Sequence, residues 1–233
     1  MPAITDTDLI SKNQSVFQFF ERNYWAYYLE LEEQFLETKR YVAFEQENFK
    51  TFSSEYLKLL EAVCSEIDIL GKEIAQQIDD SFKKSDKTAN IQKWWFVLQN
   101  WYQAKGKKQV RMLDDWMLEP WKGYQIEQFL NKTGAKCFRQ AEGAKTPKWW
   151  TAYTKVKHGR TLDDPDTTGK VFQQANLGNL CNAFAALYIL ETAFASSVGQ
   201  EEDYKRIAPS QLFDKQKPHF YFDTDGYLCQ VDD

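Results

Sequence analysis

Histidine is scarce in this 233-residue chain: there are two, His158 and His219. Glycine (10) and proline (6) are also few, which disfavours an all-β protein built on many tight turns. The four cysteines, Cys64, Cys137, Cys181 and Cys229, are scattered with no C-x-x-C pair, and nothing resembles a zinc site. Cys64 and Cys181 fall in apolar helical patterns, where a thiol behaves as a small buried hydrophobe. There is no run of about 18 apolar residues, so no membrane span is expected. Residues 1–15 are polar and carry Asp6 and Asp8, unlike a secretory leader. These absences point to a cytoplasmic protein with reduced thiols.

Aromatic residues are abundant: 12 Tyr, 17 Phe and 8 Trp within a 43% hydrophobic composition, enough to build a sizeable core. Val16, Phe19, Phe20, Tyr24, Tyr27, Tyr28, Leu31, Phe35 and Leu36 recur at three- and four-residue steps and predict a helix over 15–40. Ser53 or Ser54 can cap a second helix in which Leu57, Leu60, Cys64, Ile67, Gly71, Ile74 and Ile78 form the apolar seam. Asp68 and Lys72 make an ordinary i, i+4 pair on its exposed side.

A third helix is predicted over 88–103, and Gly106-Lys107-Lys108 ends it. Residues 109–124 read as extended or irregular, 125–132 as a short helix ended by Gly134, and 136–145 as a basic loop. Thr146 as cap and Pro147 in the first turn start a fourth helix that stops at Gly159. The last long helix is expected over 170–198, rich in Ala and Leu. Asp225-Gly226 as a turn signal, with Phe213, Phe220, Phe222, Tyr227 and Leu228, suggests a C-terminal hairpin or a tail that packs across the bundle. The expected fold is all-α: a bundle of about five main helices over 1–199, with a basic, aromatic-rich, partly irregular insertion at 105–145. A small C-terminal extension over 200–233 packs on the bundle.

The net charge of −5 conceals an asymmetry. Between Lys105 and Arg160 there are 13 Lys and Arg against 5 Asp and Glu, while the remainder holds 16 against 29. A basic middle on an acidic protein suggests a bounded site for an anionic partner, or solvated loop and helix faces.

Within that middle, Trp149-Trp150-Thr151-Ala152-Tyr153-Thr154-Lys155-Val156-Lys157-His158-Gly159-Arg160 joins an aromatic anchor to three cations and a histidine. Tyr153 and Lys157 share one helix face, and Thr154 and His158 the adjacent one. Cations and histidine at a helix C-terminus complement the macrodipole, so this composition also suits a plain helix end. The chemical reading makes His158 a general acid/base, with Lys157 and Arg160 stabilising an anionic transition state. Those residue types suit metal-free RNA cleavage by a ribose 2′-hydroxyl and equally suit phosphate binding.

The Trp/Tyr-bearing Lys-x-Lys-His-x-Arg helix end, followed by a polar loop and a long Ala/Leu-rich helix, resembles the HEPN superfamily over 149–190. The resemblance implies an α-helical bundle, ribonuclease activity in bacterial toxin–antitoxin, abortive-infection or CRISPR-linked defence, and a composite site at a homodimer interface. It carries over His158 but not the family's upstream arginine: positions 151–153 are Thr151, Ala152 and Tyr153. Arg160, Lys155 or Lys157 would then have to supply the charge. A catalytically silent interaction or sensor module, binding a protein partner encoded nearby or an anionic ligand, is the competing reading.

Asn176, Asn179 and Asn182 recur every three residues on the last helix. They line the same groove as His158, pair with a neighbouring helix, or face water. Tyr153, Lys155, Asn176 and Asn179 are the candidate substrate contacts, with His158, Arg160 and Lys157 at the reacting group. Asp163, Asp164 and Asp166 match no Ca²⁺ loop. No phosphate-cradling glycine loop or nucleophile triad is present, and the reading calls for no cofactor and no metal.

Overall fold

The computed structural model describes residues 16–105, 108–113, 116–199, 203, 207–213, 220–222 and 228–230. The N-terminal stripe forms a helix that changes pitch. Residues 16–20 are helical, Glu21–Trp25 make a π turn, and α1 runs over Ala26–Glu37 into a 3₁₀ turn at Thr38–Arg40. The extra residue in the π turn accompanies burial of two successive rings, Tyr24 and Trp25.

Helix α2, Ser54–Ile78, starts where Ser53 Oγ accepts the Tyr56 N–H at 3.0 Å. Its buried face is Leu59, Leu60, Val63, Cys64, Ile67, Leu70, Gly71 and Ile74. Helix α3, Ile91–Lys105, crosses it at Gly71, where a Cβ would meet the Trp94 ring at 2.8 Å. Glycine is required there by close approach, not by backbone conformation. The Asp68–Lys72 pair also does more than decorate a surface: Asp68 accepts the Trp94 indole N–H at 2.9 Å while Lys72 holds its other oxygen at 2.5 Å.

Helices α4, Lys148–Gly159, and α5, Leu177–Val198, complete the helical part. α5 is apolar on most sides and lies at the centre, with Ala183 through Glu191 continuously buried. By length and composition it could cross a membrane (mean hydropathy 1.3), but 67% of that window is buried inside the protein. It starts later than the periodicity predicts. Residues Val171–Gln174 are a 3₁₀ turn, and Asn176 Oδ1 caps α5 by accepting the Asn179 N–H at 3.0 Å.

The all-α expectation is wrong: the fold is mixed α/β, with small antiparallel hairpins set into the helical frame. β1 (Val110–Met112) pairs with β2 (Trp116–Leu118), and β3 (Ile126–Leu130) pairs with β4 (Lys136–Gln140). The predicted short helix over 125–132 is therefore β3, and half of the predicted basic loop is β4. Gly134, read as a helix stop, sits at φ +79° in the β3–β4 turn. Asn131 shapes that turn, its Oδ1 accepting the N–H groups of Thr133 and Ala135 at 2.9 Å each. Glycine at positive φ ends a helix and closes a hairpin equally well, so the residue type misled the reading.

Thr146 likewise does not cap α4; its hydroxyl donates to Gln140 Oε1 at 3.0 Å, and Pro147 takes the cap position. Near the C-terminus, β5 (Phe220–Phe222) pairs with β6 (Leu228–Gln230) around the expected turn, whose Asp225-Gly226 lies outside the described residues. Ahead of it, residues 210–212 dock on α1. The buried Glu32 carboxylate accepts the Tyr28 hydroxyl (2.7 Å), the Ser210 hydroxyl (2.5 Å) and the Gln211 N–H (2.7 Å).

Candidate functional site

α4 is fixed at its start and open at its end. Trp149 is 2% exposed, donates its indole N–H to the Pro120 carbonyl at 2.9 Å, and meets Trp121 edge-on at 5.0 Å. Ala152, Tyr153 and Val156 continue the buried face. The paired tryptophans 94/95 and 149/150 serve as packing anchors, with Trp94, Trp95 and Trp149 all fully buried.

The last turn turns outward: Lys157, His158 and Arg160 are exposed and join no ion pair among the described residues. Lys157 Nζ lies 3.4 Å from the Tyr153 hydroxyl and 5.4 Å from the centre of its ring, a cation–π contact that leans the ammonium along the helix. Tyr153 is thus a support for Lys157, and its ring packs 5.2 Å from Trp150.

Lys155 is different. Its ammonium is held by Asp164 Oδ1 at 2.8 Å and Asp166 Oδ2 at 2.6 Å. Asp164 is buried, takes the Asp166 N–H at 3.1 Å and the Gln174 amide at 2.5 Å, and its own N–H donates to the Gly169 carbonyl at 2.9 Å. The hydrogen bonds from Lys155 and Asp166 hold its carboxyl at about 2, below the ordinary range, and raise the Lys155 ammonium in turn. This cluster pins the loop 160–170 across α4 and leads the chain into α5. It places the Arg160 carbonyl 3.0 Å from the Phe172 N–H.

The asparagines meet the end of α5 nearest this loop, and each has a local partner. Asn176 is the cap, Asn179 donates to the Gln174 carbonyl at 2.9 Å, and Asn182 donates to the Gly178 carbonyl at 2.9 Å. They are half-buried. Capping and local backbone bonds account for their spacing, and such amides follow the same sequence pattern as ligand contacts.

Phe172, whose N–H meets the Arg160 carbonyl, and Phe52 have no place in the sequence pattern. Phe172, 37% exposed, meets Phe52, 40% exposed, edge-on at 5.3 Å, forming a bare aromatic pair. Neither lies in a periodic pattern that would single it out. Asp164 was visible only as one of three loop carboxylates; its distinction is burial. His219 lies outside the described residues.

Chemically, the α4 end offers Lys157, His158 and Arg160 on open surface. The described clefts, lined by Lys93 and Phe138, by Tyr41 and Tyr56, and by Tyr102 and Trp121, do not include Lys157, His158 or Arg160. Open basic surface suits an extended anion or a macromolecule better than a small enclosed ligand. Among the described residues no group of three His, Cys, Asp or Glu side chains converges as a metal would require. Comparisons with protein-family models, with curated proteins and with solved structures return no match, so the site's own chemistry carries the functional argument.

Proposed function

We propose that this protein is an RNA-directed, HEPN-like effector of bacterial defence or toxin–antitoxin type, acting through Lys157, His158 and Arg160. The observation that supports this most is the division among the basic residues of α4. Lys155 is consumed by Asp164 and Asp166, whereas the three groups at the helix end have no carboxylate partner among the described residues. Unpaired cations on an otherwise acidic protein favour a bounded polyanion site.

In the proposed reaction a ribose 2′-hydroxyl attacks the adjacent phosphorus and the bond to the 5′-oxygen breaks. The products are a 2′,3′-cyclic phosphate and a 5′-hydroxyl. His158 takes or delivers one proton, and Arg160 and Lys157 stabilise the charge on the phosphoryl oxygens. One histidine fills one role at a time, so the other proton-transfer partner would come from a second copy across a homodimer.

The test is cleavage of a single-stranded RNA by the purified protein, with His158→Ala as control and a 2′-deoxy substitution at the cleaved position. Loss of cut product in both, with the His158→Ala fold intact, supports the reading. The second reading, an inactive interaction module, draws on the missing upstream arginine, since Thr151, Ala152 and Tyr153 stand where it belongs. RNA left uncut under every activating condition favours that module.

A further inference from the structure

Glu191 lies in α5 with no exposure, and among the described residues neither of its carboxylate oxygens has a hydrogen-bond partner. It falls in the middle of the aromatic seam between α5 and the N-terminal helix. Three residues before it, Tyr188 meets Trp25 and Tyr28 with ring centres at 6.2 and 6.0 Å. Three residues after it, Phe194 meets Phe20 and Tyr24, both at 5.6 Å. These positions lie on neighbouring turns, so the unpartnered acid is walled by rings.

A second acid approaches from α2: Glu66 is 7% exposed and joins no ion pair among the described residues. Glu73, two turns along the same face of α2, is held by Lys84 at 2.5 Å. Tyr24, from the π turn, completes the group, its hydroxyl pushed up to about 12 by burial and then by Glu73, Glu66 and Glu191. Three helices therefore bring acidic groups together, and among the described residues the one ion pair they make is that of Lys84 with Glu73. A bare carboxylate in such a place carries a large desolvation cost, whereas the neutral acid does not.

We propose that a proton on Glu191, opposite Glu66, latches the N-terminal helix (residues 16–37) onto the α2–α5 pair, and that ionisation loosens it. Burial first, and the Glu66 charge second, push the Glu191 carboxyl well above the ordinary range; burial also raises Glu66. The folded state thus holds a proton that the unfolded chain has released. Docking is strongest at and below the ordinary carboxylate range, weakens as pH rises toward the raised value, and then levels. Each pH unit crossed in that window changes the docked-to-open ratio up to tenfold.

The experiment is hydrogen exchange of the full chain at pH 5.5 and 8.5, corrected for intrinsic rates, in wild type and Glu191→Gln. The expected result is that opening of residues 26–37 rises at least tenfold in wild type and less than threefold in the variant. Protection of α2 should change little. Equal pH dependence in the two proteins, none in wild type, or loss of protection spread evenly over all helices overturns the latch. Glu191→Met serves as a second neutral variant. If both variants fail to fold at pH 5.5, the site does not hold a neutral acid and the proposal falls.

Discussion

The ammonium of Lys155 lies 2.8 Å from Oδ1 of Asp164, whose side chain is fully buried, and this pair ties α4 to the loop that precedes α5. It removes one cation from a run of three and leaves the others at the helix end. The same contact separates the basic residue that holds the fold from those left exposed at the helix end.

Lys155→Met is therefore expected to act on stability. It leaves the buried Asp164 carboxylate short of its main partner, at a cost of about 2 kcal/mol, discounted from a fully buried pair because Lys155 is partly exposed. Urea unfolding measures this. An unchanged midpoint together with weakened RNA binding would instead make Lys155 a substrate contact.

The pH dependence follows from the same pair. Asp164 is held at about 2, below its unfolded value of about 3.9, so its contribution is complete above the unfolded value. That contribution is lost as pH falls from about 4 toward 2. Asp164→Asn should flatten this acid limb of the thermal midpoint, and an acid limb of unaltered steepness would refute the assignment.

Asn176 separates capping from ligand binding. Asn176→Ala should destabilise by about 1 kcal/mol, whereas Asn176→Asp keeps the cap and adds a favourable charge at the α5 N-terminus. Thermal unfolding checks both. If Asn176 touches RNA phosphate, the aspartate variant will lose affinity while keeping its stability.

How much of this was readable in advance depended on whether the cause was local. Ser53 capping α2 and the stop of α4 at Gly159 need only neighbours in sequence, and both were legible. The β3–β4 hairpin was not, because Gly134 carries the same signal in a turn as at a helix end. The pairing of Lys155 with Asp164 spans nine residues and depends on a loop returning across α4. The asparagine stripe was visible but its cause was not, since a capping amide and a ligand-binding amide are the same residue. Glu191 was hidden for a different reason: one acid in an Ala/Leu-rich helix gives no sign of whether it faces water or core.

Gly71 offers a stability test with no bearing on the site. A methyl there meets the Trp94 ring at 2.8 Å, and Trp94 is held in place by Asp68. Gly71→Ala should cost about 2 kcal/mol through overpacking. Trp94→Phe should make the added methyl cheaper in a double-mutant cycle, read by urea unfolding. Additive effects would show that the close approach is not the cause.

The most direct test of the proposed polyanion site is the salt dependence of single-stranded RNA binding by wild type, Arg160→Ala and Lys155→Met. Each lost phosphate contact lowers the slope of log affinity against log salt by about 0.7. The proposed site requires that Arg160→Ala weaken binding and flatten the slope by about that amount while Lys155→Met leaves the slope unchanged. Identical affinity and slope for wild type and Arg160→Ala would contradict it.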